Sequence, residues 1–191
     1  MAILILGLVL FLGGHLLPRF QGLRASLITR LGAAPYRLVY TGVSVLGIVL
    51  IAYGYSQYRA GGYIPVWNPP KGMSHLSVLL LWLSMVLLAA SGPAGRIKLM
   101  AKHPMLAAVK IWALAHLLAN GDLGSIVLFG SFLAWAVYAR IALKRAGDMG
   151  ATTLSTNPAR ADIIALVAGT AFTLVMVFGL HKWLIGVAVF S

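Results

Sequence analysis

Six apolar runs, each separated by a short connection that holds most of the charge, dominate this chain. They cover residues 2–17, 38–55, 73–90, 104–119, 123–141 and 163–184. A run of about 20 apolar residues spans the ~30 Å hydrocarbon of a bilayer as a helix. Lipid leaves a chain few alternatives, because every backbone N–H and C=O must be satisfied within the segment. The pattern predicts an all-α, polytopic membrane bundle of about six transmembrane helices. Composition agrees: 61% of residues are hydrophobic, 9% are charged, and the mean hydropathy is +0.94. At 191 residues the spans fill the chain, so a single integral-membrane domain over 1–191 is expected.

Charge sets the expected orientation. The first, third and fifth connections hold eleven Lys and Arg, against two in the second and fourth. The odd connections therefore belong in the cytoplasm, and both termini on the far side, periplasmic in a bacterial inner membrane. The first run lacks a charged leader region and a small-residue cleavage site, and reads as a retained span. The net charge of +12 reflects these basic connections, which would meet anionic membrane lipid. No basic stripe with interleaved aromatics is present, so nucleic acid is not an expected partner.

The same totals narrow the chemistry. Cysteine is absent, which removes disulfides, thiolate ligands and thiol nucleophiles. The only acids are Asp122, Asp148 and Asp162, all outside the expected hydrocarbon, and there is no glutamate. Paired-carboxylate and Ser-His-Asp catalysis thus have no visible basis. Histidine remains, as His15, His75, His103, His116 and His181. Imidazole suits iron, copper and zinc, and two histidines on different helices can ligate one haem.

The fourth run is the most informative. It opens at His103-Pro104, where proline suits a first helical turn. It carries Lys110, Trp112 and His116, and ends in Asn120-Gly121-Asp122. At 100° per residue, His103 and His116 point about 140° apart, so they do not readily share one metal. His116 shares a face with Met105, Val109, Trp112 and Asn120, flanked by small Ala113 and Ala119. His15, in the first run, follows Gly13-Gly14 and lies four residues after Phe11. The glycine pair offers close approach to another helix or a flat ligand. Each histidine also has a plain structural use as a helix–helix hydrogen-bonding group.

The stretch His103-Pro104 through Trp112-Ala113-Leu114-Ala115-His116-Leu117-Leu118-Ala119-Asn120-Gly121-Asp122 resembles the NnrU family of small bacterial membrane proteins, named from denitrification gene clusters. The likeness extends to Gly14-His15, to Tyr36-Arg37 through Gly54-Tyr55, and to Trp67-Asn68-Pro69. NnrU proteins are similar to the plant zeta-carotene isomerase, a membrane enzyme that uses haem b. The resemblance implies haem b held by His15 and His116 as iron ligands, with His103 as a further candidate. It implies a link to nitrite and nitric oxide metabolism. It also implies a redox cis–trans isomerisation of an apolar polyene or lipid, fed by an electron donor the sequence does not name. Arg19, Arg24 and Arg96 are candidates to pair with haem propionates. The plant enzyme carries a cysteine where this chain has Ala113, so no thiolate ligand carries over. Two other classes stay open: a non-catalytic membrane assembly partner, and a membrane methyltransferase of the isoprenylcysteine type. The second is suggested by the His-Pro helix entry alone, without that enzyme's glutamates.

Overall fold

The computed structural model describes residues 1–189 of the chain. Its ordered elements are helical: α1 (Ala2–Leu16), a 3-10 turn (Leu17–Arg19), α2 (Gln21–Leu31), α3 (Ala33–Ala60), α4 (Met73–Ala89), α5 (Arg96–Ala101), α6 (Pro104–Ala119), α7 (Leu123–Arg145), α8 (Pro158–Val175), a π turn (Met176–Leu180) and α9 (His181–Ile185). Large apolar side chains face outward along these helices; Leu38 is 74% exposed and Val167 63%. That outward apolar surface suits lipid, not water. By length and composition, four segments can each cross a bilayer: Ala2–Arg19, Ala33–Ala60, Leu123–Arg145 and Pro158–Ile185. Met73–Ala89 and Pro104–Ala119 are apolar but shorter. The protein is an all-helical, multi-pass membrane protein.

The chain forms two compact units, the first comprising Met1–Trp67 with Asp122–Ser131, the second Asn68–Gly121 with the residues from Phe132 onward.

In the first unit α1 packs along α3. The contact depends on glycine. A Cβ on Gly47 would lie 2.9 Å from the Phe11 Cβ, and one on Gly54 would collide with the Leu4 backbone. Gly47 and Gly54 are seven residues apart and so lie on one helix face, where their missing side chains let the backbones approach. Of the two close approaches that Gly13-Gly14 allows, a helix or a flat ligand, the helix is not found among the described residues: a Cβ on Gly13 would meet nothing within 4 Å, and one on Gly14 only Val43 Cγ1, at 4.0 Å. The remainder of this unit is pinned at the far end of α3. Ile64 N–H donates to the Tyr58 hydroxyl at 2.9 Å, and Leu123 N–H to the Ile64 carbonyl at 2.9 Å. The second and fourth connections thus meet, as alternating spans require.

In the second unit α4 packs against both α6 and α8. Buried Ser84 donates to the Ala108 carbonyl at 2.8 Å. Trp82 Nε1 donates to Thr170 Oγ1 at 2.9 Å. Gly169 lets α8 approach the Val86 backbone, which a Cβ would meet at 2.6 Å. The third and fifth connections also meet: Ala151 N–H donates to the Lys102 carbonyl at 3.2 Å and Ser155 N–H to the Ala94 carbonyl at 2.9 Å. Lys102 adopts φ 60°, a strained value for a side-chain-bearing residue, just before His103-Pro104.

Two helices were not anticipated. The arginine-bearing segment after the first span is the eleven-residue α2, and the basic third connection contains the six-residue α5. The second span also runs longer than its apolar stretch, through residues 33–60. Tyr and Arg lengthen it at both ends, where amphipathic side chains reach the interface.

Candidate functional site

His15 sits in the last turn of α1, in the first unit. Its Nδ1 lies 2.7 Å from the Phe11 carbonyl, four residues back. A carbonyl can only accept, so Nδ1 carries a proton, and in a neutral ring the lone pair then falls on Nε2. That is the form a metal ligand needs, with the ring's other nitrogen oriented by a backbone carbonyl. The Phe11 ring packs on the imidazole at a centroid distance of 4.2 Å, and Tyr40 of α3 stands 5.7 Å away. Arg19 follows four residues on. Its Nε is buried with no hydrogen-bond partner among the described residues.

His116 sits in the last turn of α6, in the second unit, and repeats that arrangement. Its Nδ1 lies 2.9 Å from the Trp112 carbonyl, again four residues back. The Trp112 ring stands 5.0 Å from the imidazole and meets Phe132 edge-on at 5.4 Å. Asn120 Nδ2 donates to the His116 carbonyl at 2.8 Å, closing the helix end. The face predicted from helical spacing, with Trp112 and Asn120 beside His116, is the one found. Buried Ala113 and Ala115 lie beside it. Each unit therefore holds one histidine fixed by the same device, an aromatic residue and a carbonyl at i−4.

His103 is placed differently. It precedes Pro104 at the entry of α6. Its Nε2 lies 3.3 Å from the Asp148 carbonyl and 3.6 Å from the Asp148 carboxylate. Thirteen residues of helix set it about 20 Å along the axis from His116, so α6 does not bring the two together. His181 Nδ1 donates to the Val187 carbonyl at 2.7 Å, and His75 is exposed in the first turn of α4. Among the described residues no group of three or more His, Cys, Asp or Glu is gathered around a common point.

The three acids are structural. Asp122, 7% exposed, accepts from Ser125 N–H at 2.9 Å and from Ser125 Oγ at 2.6 Å, capping α7. Ser125 Oγ lies 2.7 Å from the Tyr55 hydroxyl, which completes a chain of three side chains, buried at Asp122 and Ser125 and half-buried at Tyr55. Asp162 of α8 accepts from the backbone N–H groups of Arg96 and Ile97, at 3.0 and 3.1 Å, and so caps α5 from another helix. Asp148 Oδ1 accepts from Gly150 N–H at 2.8 Å. Sequence reasoning missed these roles. The Asp122–Ser125 spacing was the available signal, because an N-cap carboxylate bonds the third helical N–H.

A groove of about 640 Å³ opens in the first unit, lined by Pro18, Gln21, Arg24, Ala25, Tyr36 and Tyr40. Its size is within the range of small-molecule sites.

The fold and these histidines define a multi-pass helical membrane protein with two imidazoles held by i−4 carbonyls near helix ends. The family model described as NnrU protein matches residues 3–189, and the chain belongs to that family. No curated protein and no solved structure matches the chain.

Proposed function

We propose that this NnrU protein is a membrane haem b protein in which His15 and His116 each serve as an axial ligand. The observation that carries the reading is the shared setting of the two histidines. Both hold Nδ1–H on the i−4 carbonyl, and both have an aromatic ring from the same residue against the imidazole. Arg19 supports it: one helical turn after His15, its buried Nε lacks a partner, and a propionate would supply one. Open space over Gly13 leaves room for a flat ring beside His15. We assign His116 rather than His103 because His116 shares with His15 the i−4 carbonyl and i−4 aromatic ring, a setting that His103, at the entry of α6 beside Asp148, does not have. Bound haem would supply one-electron iron chemistry. The chain's own part is to fix two imidazoles, offer a guanidinium to a carboxylate, and surround the ring with apolar side chains.

The reaction proposed for assay is a cis–trans isomerisation of an apolar polyene or lipid, and the proposed setting is nitrite and nitric oxide metabolism in a bacterial inner membrane. The basic connections would lie in the cytoplasm and both termini in the periplasm. Because the chain has no cysteine, single introduced cysteines report topology cleanly. Thr152→Cys is expected to label only from the cytoplasmic side, and Val66→Cys only from the periplasmic side.

The haem assignment is tested by the haem content of protein purified from haem-replete cells. Stoichiometric haem b by the pyridine haemochrome assay is expected. A colourless, well-folded preparation would contradict it.

A further inference from the structure

The first unit contains a cationic groove that the histidine assignment does not use. It lies where α1 ends, α2 begins and α3 begins, with Arg24 on one wall and Tyr36 and Tyr40 on the other. Both flanking segments, Ala2–Arg19 and Ala33–Ala60, can cross a bilayer, so their joined ends fall at headgroup depth. The two tyrosines are stacked, with ring centroids 6.3 Å apart, and present amphipathic rings suited to that depth.

Among the described residues no acid is paired with the charge in this groove. Asp122 is the one acid of the first unit, and it is committed to Ser125. Asp148 and Asp162 are bonded within the second unit. The α2 helix opens at Phe20, which provides no side-chain cap, so the positive end of its dipole adds to the same field. The charge calls for an anion, and the groove's place at headgroup depth, with the amphipathic rings of Tyr36 and Tyr40 in its lining, favours an amphiphilic one.

We propose that the α2–α3 groove binds an anionic phospholipid, its phosphodiester taken by the Arg24 guanidinium, with Gln21 and the tyrosine hydroxyls as further donors. A charge-assisted bond to a phosphate is among the stronger pairings available to arginine. The site would tie α2 to the membrane surface and hold α3 at a fixed depth beside Tyr40 and His15.

The test uses the full chain in neutral detergent, titrated with phosphatidylglycerol, phosphatidylcholine or inorganic phosphate, with thermal unfolding and native mass spectrometry as readouts. Phosphatidylglycerol should raise the Tm and appear as a retained adduct, while phosphatidylcholine and inorganic phosphate should do neither. Arg24→Gln should weaken the phosphatidylglycerol response about tenfold, the effect of one lost charge-assisted bond. Arg30→Gln, on the same helix but outside the groove, should leave the response intact. Tyr36→Phe gives a second, milder variant should Arg24→Gln fold poorly, and it should weaken the response by a smaller factor. Equal responses to both lipids, or to phosphate alone, would overturn the proposal, as would an unchanged response in both groove variants. Haem content separates the two assignments. Arg24→Gln should leave it at the wild-type value; haem loss with an intact lipid response would give Arg24 to a propionate instead and overturn the lipid site. Wild-type protein with no haem but a selective lipid response would sink the haem reading alone.

Discussion

The two units place the same local device in different surroundings. In the first, α1 and α3 meet through glycines, a Cβ on Gly13 would meet nothing within 4 Å, and a groove of about 640 Å³ is bordered by Tyr40. In the second, α4, α6 and α8 are fastened by side-chain bonds, Ser84 to Ala108 and Trp82 to Thr170, and the residues beside His116 are buried alanines. Glycine contact depends on backbone proximity; the second unit adds directional hydrogen bonds. The comparison teaches that an aromatic and a carbonyl at i−4 can orient an imidazole whatever packs around the helix. Both histidines are half-buried, each in the last turn of its helix.

The largest expected effect is at the glycine contact. Gly54→Leu should destabilise the protein by about 3 kcal/mol or more, because the colliding atoms are backbone. Thermal unfolding in detergent measures it, with Gly42→Leu, which faces open space on the same helix, expected within about 0.5 kcal/mol of wild type. Equal losses in the two variants would mean that α1 does not pack on α3 as described.

Next in size are the two capping carboxylates. Asp122→Ala should cost about 2 kcal/mol, since it strips buried Ser125 of its acceptor and disturbs the link to Tyr55. Asp162→Ala should cost about 1 kcal/mol, since it uncaps the short helix α5 at a less buried place. Chemical unfolding of both would sharpen the contrast; a larger loss for Asp162→Ala would reverse it. The smallest effect belongs to Ser84→Ala, about 0.6 kcal/mol, the typical value of one interhelical hydrogen bond in a membrane protein. No change in unfolding on that substitution would mean that the α4–α6 contact rests on shape alone.

Much of the architecture was legible in the chain. The span predicted for residues 104–119 is α6 to the residue, because Pro104 marks its start and Asn120-Gly121 its end. The apolar runs became apolar helices, and the spacing of Trp112, His116 and Asn120 gave their shared face. Helices α2 and α5 were hidden because hydropathy detects lipid contact, and both lie in basic connections. The glycine contact between α1 and α3 was not read, because Gly47 and Gly54 are seven residues apart and only the helix brings them onto one face. The i−4 carbonyl bonds of His15 and His116 follow from the helix itself, so the aromatic residue four before each histidine was the readable half of the site. The capping role of Asp162 depends on α8 meeting α5, a contact between residues 65 or more apart that no local pattern announces.

The central claim is that His15 and His116 ligate haem iron, and reduced absorption spectra of single variants test it most directly. Wild type, His103→Ala and His181→Ala should share one low-spin spectrum with sharp α and β bands. His15→Ala and His116→Ala should each lose those bands or shift to a high-spin form. An unchanged low-spin spectrum in either of the last two would contradict the account.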